Sequence, residues 1–164
     1  MYVKACTKDI KQLAYFSLVR PSLEYCSVVW DPYTQELSSK LEAVQRRAAR
    51  FVLNNYEQLS SVTSMLQELD WQTLTIRRKI TRLAVFQKAC QGDLAILVKT
   101  LLHPVKRPTR HSHTKSFITI STSSDIYKYA YLPRTVTEWN QLPQSLIDIT
   151  DNKAFKEQLK QHFK

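Results

Sequence analysis

A single glycine in 164 residues constrains the fold of this chain more than any other feature. Phosphate-cradling loops, type I′ hairpin turns and multi-stranded barrels all consume glycine, because only glycine takes positive φ at no steric cost. Gly92 stands alone, so the chain is left with helices. A hydrophobic share of 43% is enough for a real core. The expectation is an all-α or nearly all-α single domain of about six to eight helices, with room for one small β-hairpin. A helical region should cover residues 1–102, a basic loop 103–116, and an extended or hairpin segment with closing helices 117–164.

The periodicity places those helices. Between Lys8 and Val19, Ile10, Leu13, Ala14, Phe16 and Leu18 fall nearly all round a helix, which predicts burial on most sides until Pro21 ends or kinks it. Leu23, Val28, Val29 and Trp30 should pack before the Asp31-Pro32 turn. The clearest helix runs from Gln35 to Leu53, where Leu37, Leu41, Val44, Ala48, Phe51 and Val52 form one stripe and Asn54-Asn55 stops it. Ser60 or Ser61 can cap a shorter helix with Val62, Met65, Leu66 and Leu69, with Trp71 anchoring the corner. A second long helix spans Thr73 to Ala89, and Gly92 is its stop. Phe117 to Ile120 alternates as a brief strand that Tyr127, Tyr129 and Tyr131 could pair with. Pro133 suits a first helical turn ahead of Val136 and Trp139, and Asp151 or Asn152 caps a last helix lined by Ala154, Phe155, Leu159 and Phe163.

Charge points to a polyanionic partner. Lys and Arg outnumber Asp and Glu by 24 to 14, a formal +10, and a field of that sign attracts phosphate. Arg46, Arg47 and Arg50 project from the polar face of the Gln35–Leu53 helix. Guanidinium forks match phosphate oxygens there, and a solvated face is the plain alternative. Arg77, Arg78, Lys79 and Arg82 invite the same reading over a wider arc, although Arg77 or Lys79 could instead pair with Glu68 or Asp70. Lys106, Arg107, Arg110 and Lys115 lie in a loop that could clamp RNA or act as a localisation-like basic stretch, with a flexible charged linker as the plainer reading.

Other chemistries are poorly supported. No GxSxG elbow can be built from one glycine. His103, His111 and His113 lack acidic or thiolate partners at ligand spacing, so no metal is expected. Cys6, Cys26 and Cys90 are odd in number and far apart, which fits a reducing, intracellular compartment, cytoplasmic or nuclear. No apolar run approaches a membrane span, so no membrane is expected as partner. Trp30, Trp71 and Trp139 could stack on bases but are read as core anchors.

Taken in order, LVRPSLEYCSVVWDPYT, KLEAVQRRAARFV, SSVTSMLQELDWQTLTIRRKITRL, YLPRTVTEWNQLP and FKEQL resemble the C-terminal part of jockey-like non-LTR retrotransposon reverse transcriptases, from about Lys8 onward. The resemblance implies the helical thumb and post-thumb region of an RNA-directed DNA polymerase, lying behind the palm. It implies RNA or an RNA–DNA hybrid as a weakly bound partner and contact with the polymerase palm. The Mg²⁺ of two-metal chemistry would belong to that palm, since this chain holds no Asp-Asp pair to bind it and is expected to be no enzyme alone. The NNYEQL stretch departs from the family's glycine-containing turn, and no Cys/His knuckle is present.

Overall fold

The computed structural model describes residues 6–57, 59–94, 98–106 and 113–164. The chain is all-α and forms two compact units, Met1–Arg78 and Lys79–Lys164.

In the first unit, α1 (Lys8–Ala14) passes through a π-helical turn (Tyr15–Val19) into α2 (Arg20–Glu24). The helix therefore does not end at Pro21. Proline lacks an N–H and its ring collides with the carbonyl four residues back; here the turn ahead of it is widened, and the Arg20 N–H reaches Tyr15 O. Cys26, at φ 49°, turns the chain into α3 (Ser27–Trp30).

Helix α4 (Gln35–Leu53) ends on Asn54 at φ 52°. Asparagine tolerates that left-handed position better than most residues, which is why the Asn pair stops the helix. The buried seam of α4 is Gln45, Ala49 and Val52, rotated about one residue from the expected stripe, and Leu37 is left exposed. A polar residue holds the seam because its hydrogen bonds are met: the Tyr15 hydroxyl donates to Gln45 Oε1 (3.5 Å), and Gln45 Nε2 donates to Gln72 O (2.9 Å).

Helix α5 (Val62–Glu68) is capped by Ser61, whose hydroxyl accepts from the Ser64 N–H. Tyr15, Ala49, Val52, Met65, Leu69 and Trp71 then close a core in which the Tyr15 and Trp71 rings stack at 4.7 Å. Burial pushes the Tyr15 phenol up to about 12, so it stays a neutral donor. Lys11 is wholly buried, its ammonium on Asn54 Oδ1 (2.5 Å) and over the Phe51 ring.

Helix α6 (Leu74–Gln91) begins in the first unit and ends on Gly92 at φ 90°. In the second unit it contributes Ile80, Leu83, Ala84, Phe86 and Ala89 to a core shared with α7 (Val98–Leu101), α9 (Tyr131–Asn140), α10 (Gln144–Ile147) and α11 (Asn152–His162). Trp139 is its hub: Phe86, Phe155 and His113 surround the indole, and Trp139 Nε1 donates to Lys115 O (3.0 Å). Asp151 caps α11, accepting from the Ala154 N–H at 2.7 Å.

The expected hairpin is absent among the described residues. Ser124 accepts from the Tyr127 N–H and starts a helical turn, α8 (Asp125–Lys128), and Tyr131 opens α9, so the tyrosines are not a strand. Phe117 instead makes one antiparallel bridge with Pro104. On its other side the Asn140 amide takes the place of a partner strand, accepting from Phe117 N (3.0 Å) and donating to Phe117 O (2.7 Å).

Candidate nucleic-acid interface

Arg46 and Arg47 are exposed on α4 and Arg50 is half-buried, all on the side away from the Gln45–Ala49–Val52 seam. The pattern is set locally: Arg46 and Arg50 are four residues apart and Arg47 and Arg50 three, so the three cations share one surface. Arg46 Nη2 reaches Ser39 O (3.3 Å) and Arg50 Nη1 reaches Glu57 O (2.8 Å). Within one turn along the helix only Glu42 is acidic, and its carboxylate accepts from Thr75 N and Oγ1. Like charges at this spacing weaken a helix slightly, and an anion bound across them would relieve that repulsion.

The second arginine group is engaged inside the fold. Arg77 holds both Glu24 oxygens, through Nε to Oε1 and Nη2 to Oε2 (3.0 Å), and that bond keeps its guanidinium above the ordinary value. Arg78 is 1% exposed and donates to Asp31 Oδ1 (2.6 Å), Thr75 Oγ1 (3.2 Å) and Ser38 Oγ (3.4 Å). Arg82, equally buried, donates to Glu138 Oε2 at 2.5 Å. The expected surface of Arg77, Arg78 and Arg82 is thus corrected: a desolvated guanidinium released from its carboxylate would leave an unpaired buried charge, so Arg78 and Arg82 brace helices. The suggested partners differ too, since Glu68 pairs with Lys8 at 2.8 Å and Lys79 lies over the Phe163 ring.

Of the basic loop, Lys106 is exposed, while Arg107 and Arg110 lie outside the described residues. His111 does too, and among the described residues no three His, Cys, Asp or Glu converge to hold a metal ion. His113 is buried and structural. Its Nδ1 accepts from the Lys115 N–H (3.2 Å), so Nε2 carries the proton and donates to Trp139 O (2.9 Å). Burial holds its pKa below the usual imidazole range. Burial likewise pushes the Cys90 thiol up to about 12, which makes it a poor nucleophile.

Trp71 and Trp139 are core residues as expected, but Trp30 is 39% exposed, its indole N–H on Tyr25 O (2.6 Å). Ile10, Leu13, Leu18, Tyr25, Val29 and Leu37 of the same unit are exposed too. A helix apolar on most sides was expected to be covered on most sides, and here it is not.

Charge is unevenly divided. Residues 1–78 hold 10 Lys and Arg against 8 Asp and Glu, and residues 79–164 hold 14 against 6, which together make the 24 and 14 of the chain. Lys153, Lys156 and Lys160 of α11 belong to that excess, Lys153 exposed and the other two half-buried. No helix among the described residues is long and apolar enough to cross a membrane. No protein-family model matches the chain, and no curated protein or solved structure does.

Proposed function

We propose that this chain is a nucleic-acid-gripping helical region of the kind that lies behind the palm in reverse transcriptases, binding RNA or an RNA–DNA hybrid through backbone phosphates. The reading is supported by the ordered sequence blocks that resemble that family and by an all-α fold. The observation that carries it is the Arg46, Arg47 and Arg50 surface of α4, held outward because the opposite side of the helix is packed on Tyr15, Met65 and Trp71.

Each guanidinium placed on a phosphate releases a condensed counterion, so binding is sequence-independent and salt-sensitive. The fold holds the three cations in register on a rigid helix, which lowers the ordering cost on binding. Mg²⁺ and polymer synthesis belong, on this reading, to palm residues that this chain does not supply, and no step here runs through a metal. We place the protein inside the cell, cytoplasmic or nuclear, where Cys6, Cys26 and Cys90, which form no disulfide, stay reduced.

The test is binding to a labelled RNA–DNA hybrid across a salt series. Changing Arg46, Arg47 and Arg50 together to Ala should lower the slope of log K against log salt by about 2 to 3. An unchanged slope rejects this surface.

A second reading has its own observation. Val29 and Leu18 are 86% and 74% exposed in the first unit, and large apolar side chains left in solvent suit an interaction surface. On this view the first unit docks against a protein, by resemblance a polymerase palm, and has no independent activity. Light scattering separates the two: a monodisperse monomer at high concentration counts against the docking reading, and self-association suppressed by Val29→Lys supports it.

A further inference from the structure

We propose that the second unit holds a pocket for a small organic acid, a molecule with a planar apolar body of one or two rings and a carboxylate head. The pocket is lined by residues of α6, α7, α9 and the segment from Thr114 to Phe117. It uses none of the α4 arginines, so it is independent of the nucleic-acid reading.

The cavity grades from dry to wet. Val98, Leu102 and Trp139 form its floor, each 2% exposed. Cys90 and Phe117 are half-buried at its sides, and Pro104, Thr114 and Lys115 make an exposed rim. Its volume is about 360 Å³. Protein interiors are packed so closely that spaces larger than a water are few, and an apolar cavity of about 150 Å³ already accepts benzene. There is room here for a fused pair of rings. Trp139 and Phe117 favour such a body, because aromatic rings pack well on one another in offset or edge-to-face contact.

The walls are set by bonds within the fold. Trp139 Nε1 donates to Lys115 O (3.0 Å), Leu102 N donates to Val98 O (2.8 Å), and the Asn140 amide holds both backbone groups of Phe117. A site built in advance lowers the ordering cost of binding, and ligand pockets share this make-up of apolar walls with a few placed polar groups. Cys90 leaves the space open, since a longer side chain at that place on α6 would reach into it. Burial keeps its thiol neutral, so the wall itself carries no charge.

The rim decides the head. Thr114 Oγ1 accepts from Gln144 Nε2 (3.1 Å), which leaves its O–H to donate. Lys115 Nζ meets Ile147 O (3.3 Å), which occupies one of its three N–H groups. Ser116 is turned inward, its hydroxyl on His113 O (2.8 Å). Among the described lining residues there is no carboxylate. An ammonium and a hydroxyl at the mouth of an apolar recess suit an anionic acceptor, whereas a cationic ligand would meet repulsion.

The test is titration calorimetry of the full chain with indole-3-propionate and with its uncharged amide, with folding of each variant checked by circular dichroism. The acid should bind saturably at one site and about fivefold more tightly than the amide, the size expected of one partly exposed charge pair. Lys115→Gln should erase that difference while keeping the amide affinity. Cys90→Met, a flexible apolar side chain that fills the recess, should abolish binding of both. Where Cys90→Met does not fold, Thr114→Trp at the exposed rim should block entry instead. Absence of saturable binding to the wild type overturns the proposal. So does unchanged binding in a folded Cys90→Met or Thr114→Trp variant, which would place the probe on the exposed apolar side chains of the first unit. Equal affinity of acid and amide for the wild type overturns the acidic head.

Discussion

The two compact units divide apolar surface and charge in opposite ways. Residues 1–78 are nearly balanced in charge but leave Ile10, Leu13, Leu18, Tyr25 and Val29 in solvent, around a core whose centre is the Tyr15–Trp71 stack. Residues 79–164 gather a core around Trp139 and hold the excess of positive charge, with fewer large apolar side chains exposed, among them Leu101, Ile118 and Ile126. Exposed apolar surface gains from association what the core does not supply, and an excess of one charge opposes self-association. The first unit is thus the more apolar at its surface and the second the more basic.

That contrast can be broken most directly at the hub. Trp139→Ala should cost about 3–5 kcal/mol in urea unfolding, because it removes the indole that Phe86, His113 and Phe155 pack on. A loss near zero would mean that the second unit does not pack on Trp139 as described. The buried arginine comes next. Arg78→Ala removes the buried guanidinium that donates to Asp31 and should cost about 3 kcal/mol or more, whereas Arg47→Ala, on the exposed face, should stay within about 0.5 kcal/mol. Equal effects would erase the distinction between brace and surface.

Protonation offers a graded probe of the second unit. The folded pKa of His113 lies below its unfolded value, so the unfolded chain binds the proton first. Its contribution is fully present above the ordinary imidazole pKa and is lost as pH falls through that value toward the folded one, at no more than about 1.4 kcal/mol per pH unit. His113→Gln should flatten this dependence. Gly92→Ala, at φ 90° with nothing near its added Cβ, should cost about 1 kcal/mol by backbone strain alone. The smallest effect expected on folding is that of Val29→Lys, within about 0.5 kcal/mol, although it should reduce self-association of the first unit.

What was legible in the sequence was what repeats within a turn or caps an end. The spans of α4, α6 and α11, the Ser61 and Asp151 caps, and the Asn54 and Gly92 stops all follow from residues no more than four apart. The arginine roles were not legible, because Glu24, Asp31 and Glu138 lie 53, 47 and 56 residues from the side chains they hold. No local pattern tells a braced guanidinium from a free one. Gln45 holds its place in the α4 seam for the same kind of reason, through Tyr15 and Gln72, which are 30 and 27 residues away in sequence. Of the candidate site, the α4 arginines follow from spacing alone, whereas Trp30, expected as a core anchor, is 39% exposed.

The pinning of Phe117 has a consequence for how the chain behaves in a crowd. Ser116 to Ile120 is uncharged and rich in β-branched and aromatic side chains, a composition that suits intermolecular cross-β stacking. Growth needs an open backbone edge. Here Ser116 O accepts from Val105 N (3.0 Å) and Ile118 N donates to His103 O (2.8 Å) on one edge, and Asn140 takes both groups of Phe117 on the other. A single amide side chain of a neighbouring helix thereby closes the template that Phe117 would offer.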